Sequence, residues 1–166
     1  VQILMLNSNT PLRLQSQLDW LKTQLDNSKD DNNTVFSLGF CHHVFYSELW
    51  PGGSGAGLTE DTYQGTPFVG KIIDILKKYP KVQSLITGHV HGYERHVLPG
   101  ENSSGRDFLE IVLGGAGGNL DRWGSNSTGP DIYEVKKSLD HYHFALLELD
   151  LERNSFEGNM YSFGNP

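Results

Sequence analysis

The chain has 166 residues, of which 37% are hydrophobic and 11% aromatic; this is enough apolar surface for one packed domain and too much for a disordered segment. Its 13 basic residues are outnumbered by 20 acidic ones, for a formal charge of -7, which argues against a nucleic-acid partner because phosphate neutralisation needs clustered Lys and Arg. No apolar run approaches the ~20 residues of a membrane span, no charged n-region followed by an apolar h-region opens the sequence, and the single cysteine, Cys41, excludes an internal disulfide framework.

In chain order, Val1 to Leu6 is an apolar run of the kind a buried strand shows. Leucines at 14, 18, 21 and 25 follow at spacings of four, three and four, which predicts an amphipathic helix that also carries Trp20. Asp26 to Asn33 reads as a polar turn, and Thr34 to Phe40 as a second β-leaning run ending at Cys41-His42-His43. Pro51 to Thr66 is rich in Gly, Ser and Thr and predicts a long loop. Thr66-Pro67 is a good N-cap and first-turn pair for a helix whose face is Val69, Ile72, Ile73 and Leu76, stopping at Pro80. Val82 to Thr87 is a short strand broken by Gly88, a residue expected to let the backbone turn sharply just before His89.

Phe108 to Leu113 predicts another buried strand, ended by the glycines at 114, 115, 117 and 118. Residues 119 to 140 read mostly as loop. His143 to Leu151 and Ser155 to Phe163 are two β-like runs about Glu152-Arg153-Asn154, short enough for an antiparallel hairpin. Helices between strands early and a meander late point to a layered α/β (α+β) fold without internal repeats.

The chain's seven histidines gather at predicted strand ends, where α/β proteins place their sites. His42 and His43 close one strand, His89, His91 and His96 follow another, and His141 and His143 precede a third. A lone histidine at a strand end is more often a hydrogen-bonded residue than a ligand. A His-x-His pair in a turn, joined by a histidine from the neighbouring strand, has the composition of part of a transition-metal shell.

The stretch Gly88-His89-Val90-His91-Gly92-Tyr93-Glu94-Arg95 resembles the Gly-His-x-His-x-Tyr-Glu-Arg signature of purple acid phosphatases, of the calcineurin-like metallophosphoesterases. Upstream, His42-His43-Val44-Phe45-Tyr46-Ser47 is similar to that family's His-x-Pro-hydrophobic-aromatic-Ser motif, with Val44 where proline is usual. Trp20-Leu21 and Gly114-Gly115-Ala116-Gly117-Gly118 fall in the family's order. The resemblance implies part of a layered αββα metallophosphoesterase sandwich, with residues 1–166 as its C-terminal half. It implies that His42 and His89 bind one metal and His91 the other, the pair being iron with zinc, manganese or a second iron. His43 occupies the family's variable position, and Tyr93, Glu94 and Arg95 support the loop.

The family's first-half motifs, which supply Asp ligands and a Gly-Asn-His acid, do not occur here; by composition the candidates are Asp61, Asp121 and Asp131, in loops without the matching neighbours. The expectation is that an N-terminal half of the same domain packs against this chain, and no catalytic acid or base is assigned within it. Completed, the site would hydrolyse phosphomonoesters, on a phosphorylated small molecule or a phosphoprotein; the alternative is a catalytically silent phosphoesterase-like domain used in assembly or ligand binding. Sequons at Asn32, Asn102 and Asn126 permit glycosylation, and a secreted or extracytoplasmic location, such as a lysosome or vacuole, is expected.

Overall fold

The computed structural model describes residues 1–8, 15–47, 62–63, 66–99, 104–121, 134–139 and 141–163. Its elements are β1 (Gln2–Met5), α1 (Gln15–Lys29), β2 (Ser37–Phe40), β3 (Thr62–Tyr63), β4 (Thr66–Pro67), α2 (Phe68–Leu76), β5 (Val82–Thr87), β6 (Tyr93–Leu98), β7 (Phe108–Leu113), β8 (Glu134–Leu139), β9 (His143–Asp150) and β10 (Ser155–Ser162).

Six strands form one mixed sheet in the order β1-β2-β5-β7-β6-β8. The first four run parallel, with Leu4 opposite Gly39, Gly39 opposite Leu85 and Leu85 opposite Glu110. β6 then runs antiparallel to both β7 and β8. α1 connects β1 to β2, and α2 lies between β2 and β5; both helices were announced by apolar spacing in the sequence. α1 turns Leu18, Leu21 and Leu25 inward, at most 7% exposed, and leaves Trp20 42% exposed on its outer side. These leucines join Ile72, Ile73 and Leu76 of α2 and Leu4, Leu85, Leu98 and Phe108 of the sheet in one apolar core. At the end of α1 the Lys81 ammonium donates to the carbonyls of Ser28 and Asp31 at 2.9 and 2.8 Å, satisfying acceptors that a helix end otherwise leaves bare.

The opposite face of the sheet meets the β9–β10 hairpin, paired in antiparallel register from Ser162↔His143 to Ser155↔Asp150. In its turn the Asp150 carboxylate accepts from the amides of Glu152 and Arg153, and Asn154 adopts φ 50°. Between the two layers lies a cleft of about 330 Å³, bordered by Tyr93, Leu109 and Ile111 on one side and Leu147, Phe156 and Met160 on the other. The outer face of the hairpin exposes Phe144, Leu146, Tyr161 and Phe163. The order helices, mixed sheet, second strand layer is an α/β arrangement.

Three strands depart from the sequence reading. β1, read as buried, lies at one end of the strand order and leaves Ile3 51% and Met5 67% exposed. β6 was expected as a polar loop support, yet Glu94, His96 and Leu98 occupy its inward positions and are 0%, 1% and 1% exposed, so two of its three buried positions are polar. β8 lies within the stretch read mostly as loop; it is an edge strand whose sequence, Glu-Val-Lys-Lys-Ser-Leu, carries the charges that edges favour. Most of the expected loop from Pro51 to Thr66 falls outside the described residues, and within it Thr62–Tyr63 and Thr66–Pro67 pair as two short antiparallel strands.

Candidate metal centre

The histidine turns sit side by side because β2 and β5 are adjacent and parallel, so both chains leave the sheet at the same edge. This is the carboxyl end of the strands, where open α/β sheets hold their ligands. The Gly88 amide donates to the His42 carbonyl at 3.0 Å and pins the two turns together. Directly after it, the Val90 amide bonds the Gly88 carbonyl at 2.7 Å, a three-residue turn with His89 at its apex and φ 65°. The left-handed residue is therefore His89 itself. Gly88 was expected to supply the sharp turn, but a Cβ there would meet only the His42 carbonyl, at an ordinary 3.7 Å. A side chain in this conformation is strained, and such strain collects at functional sites.

The turn aims His89 at its neighbours. Its Nδ1 lies 3.1 Å from Nε2 of His42, and the His43 ring centroid is 4.5 Å from that of His89. One ring nitrogen each from His42, His43 and His89 falls within 4.8 Å of the others. Burial, and then the neighbouring imidazoles, hold the pKa of His89 below the ordinary histidine value; burial, followed by His42, does the same for His43. Neutral imidazole is the form that binds metal. Nitrogen donors of this kind suit zinc, iron, copper or nickel, and among the described residues no carboxylate joins the group.

His91 stands beside this group rather than in it. Its Nδ1 contacts the carbonyl of Asn119 at 2.7 Å, its amide donates to Oδ2 of Asp121 at 2.7 Å, and the Asp121 amide returns a bond to its carbonyl at 3.0 Å. The Asn119 carbonyl is the outer partner a ligating histidine requires, and it leaves Nε2 with its lone pair. The glycine run after β7 makes room for this turn. A Cβ on Gly114 would lie 1.7 Å from the Val90 carbonyl oxygen, and one on Gly118 would lie 2.4 Å from the His91 ring. Of the acidic candidates, Asp121 thus holds the His91 backbone, while Asp61 and Asp131 lie outside the described residues.

The His42 turn is held from beneath by Glu94, which the sequence reading expected to support the loop, and by Glu110, to which it gave no part in the site. Glu110, fully buried on β7, accepts the Phe45 amide at 2.7 Å and the Tyr46 amide at 3.1 Å with its two oxygens. Glu94 accepts the Ser47 hydroxyl at 2.8 Å and, through its other oxygen, meets Nε2 of His96 at 2.8 Å. Burial pushes the Glu110 carboxyl up to about 7, against the pull of His96 and the two amides. A glutamate in the middle of the apolar strand Phe-Leu-Glu-Ile-Val-Leu was the available signal, since a charge on a buried strand needs a partner. Cys41 faces inward with its thiol pKa pushed far up by burial, which disfavours the thiolate a metal would need.

No family model and no curated protein matches the sequence. Solved structures do match. A purple acid phosphatase, PPD1 from yellow lupin seeds, superposes with a TM-score of 0.60 at 19% identity, covering 87% of this chain and 26% of that one. GAP50, described as the anchor in the inner membrane complex of Plasmodium, superposes with a TM-score of 0.64 at 18% identity, covering 96% and 44%. The chain shares its fold with this purple acid phosphatase and with GAP50. The chain spans less than half the length of each of these proteins.

Proposed function

We propose that this chain is the histidine-bearing half of a metal-dependent phosphomonoesterase. The observation that carries the reading is the convergence of His42 and His89 from the ends of two adjacent parallel strands, on a fold shared with a purple acid phosphatase. In this reading His42 and His89 hold one ion and His91 holds a second, the pair being iron with zinc, manganese or a second iron. An N-terminal half of the same domain contributes the carboxylates. When bound, the ions would make a nucleophile of water near neutral pH and balance charge on the phosphoryl group.

The chain's own residues orient the ligands. The Asn119 carbonyl sets the face of His91, the turn at Gly88–Val90 sets that of His89, and the buried Glu110 holds the backbone behind His42 and His43. The substrate is a phosphorylated small molecule or phosphoprotein, and secretion is consistent with exposed Asn32 in its sequon. The test is hydrolysis of p-nitrophenyl phosphate by the polypeptide joined to its N-terminal half, with metal content measured in parallel. His42→Ala and His89→Ala should each abolish turnover and lower the metal content. Full metal content in both variants would end the proposal. A second reading, a silent domain used in assembly, is favoured by the exposed aromatic face of the hairpin and by the fold shared with GAP50; folded protein without metal or hydrolysis would support it.

A further inference from the structure

His43 does not behave as a bystander. Its ring centroid lies 4.8 Å from that of His42 and 4.5 Å from that of His89, with planes crossed at 83° and 48°. Imidazoles that radiate from one ion cross in this way, whereas rings packed for apolar contact have no need to bring their nitrogens together. Between Nε2 of His42 and Nδ1 of His89 the separation is 3.1 Å, a meeting that one N–H bridges between neutral rings and that an ion displacing that proton would hold at nearly the same spacing. Nitrogens bonded at about 2.0–2.1 Å in a tetrahedral shell stand roughly 3.4 Å apart, close to the spacing already present.

The third nitrogen is oriented from behind. Ser8, buried after β1, places its hydroxyl oxygen 3.1 Å from the His43 amide and 2.9 Å from Nδ1. With Nδ1 protonated, both lone pairs of that oxygen are engaged and Nε2 of His43 is left with its own. That is the outer-partner arrangement which fixes the tautomer of metal-binding histidines.

We infer that His42, His43 and His89 form a three-nitrogen site that holds one zinc-class ion on this chain alone, with Ser8 as the positioning residue of the third ligand. The inference deepens the proposed function and rests on its metal reading. It differs in making His43 a ligand and in requiring no carboxylate from another segment. A three-imidazole shell leaves the fourth position of a tetrahedral ion open, the form that catalytic sites take. His91 stays outside this ion's shell.

The experiment titrates the 166-residue chain with zinc against a chromophoric chelator, and with cobalt(II) followed by its visible absorption. One ion per chain is expected. His43→Ala and His43→Gln should weaken binding by more than about 100-fold, beyond the roughly 10–100-fold that loss of an outer partner costs, and Ser8→Ala by about 10-fold. Circular dichroism separates lost binding from lost folding, and His43→Gln and Ser8→Ala keep the test open if His43→Ala does not fold. Parent-like affinity in folded His43 variants overturns this inference and leaves the proposed function standing. No ion bound by the parent chain overturns this inference, and binding by the chain joined to its N-terminal half then decides separately for the proposed function.

Discussion

The two histidine turns leave the same edge of the sheet and are held by opposite means. The turn after β2 is held by hydrogen bonds: the carboxyl groups of Glu110 and Glu94, each 0% exposed, take up two backbone amides and a hydroxyl. The turn after β5 is held by the lack of side chains, since the Val90 carbonyl and the His91 ring sit where a Cβ on Gly114 or Gly118 would be. A clamp made of hydrogen bonds tolerates a change at partial cost, and one made of excluded volume does not. The difference teaches that His42 and His43 can be displaced in small steps, while the Gly88–Gly92 turn has two outcomes, seated or lost.

The sharpest break is Gly114→Ala. A methyl group 1.7 Å from a backbone oxygen cannot be relieved by a rotamer change, so a loss of at least about 4 kcal/mol, or no cooperative transition at all, is expected in a thermal melt. Glu110→Ala should cost about 3 kcal/mol in urea unfolding, because it strands two buried amides, and should weaken zinc binding through the displaced His42–His43 backbone.

Glu110→Gln probes the charge itself. The folded pKa, about 7, stands above the ordinary 4.5, so the native state keeps the proton that the unfolded chain releases first. The parent's advantage from this group is complete below pH 4.5 and is lost as pH rises through about 7, at roughly 1.4 kcal/mol per unit, or on the order of 3 kcal/mol in all. The parent-minus-variant difference in unfolding free energy should therefore fall between about pH 4.5 and about pH 7; a flat difference would remove the buried charge from the account. Smallest of the four, Ser47→Ala should cost about 1–2 kcal/mol by leaving one oxygen of Glu94 without its hydroxyl.

Periodicity made the helix-backed core legible. Leu18, Leu21 and Leu25 recur at helical spacing and are buried together, and Val82 to Thr87, a strand between two others, is buried at all six positions although Gln83, Ser84 and Thr87 are polar. β6 was not legible by the same rule, because Glu94 and His96 share its inward face with Leu98 and only tertiary partners make them compatible with burial. At the candidate site, the turns bearing His42, His89 and His91 could be read from strand ends and resemblance. The contribution of His43 could not, since it depends on Ser8, 35 positions away, and on a cross-strand meeting no local pattern encodes. The glutamate beneath Phe45 and Tyr46 lies still further off in the chain and left only the oddity of an acid in an apolar run.

The φ of 65° at His89 sets heat resistance against chemistry at a single position. Asn or Gly accepts that backbone more readily than histidine does, by about 1 kcal/mol, so a search for hardier variants would select either one there. Such a variant would melt later and bind no ion. Selection for durability alone would erase the activity first at the residue that aims it.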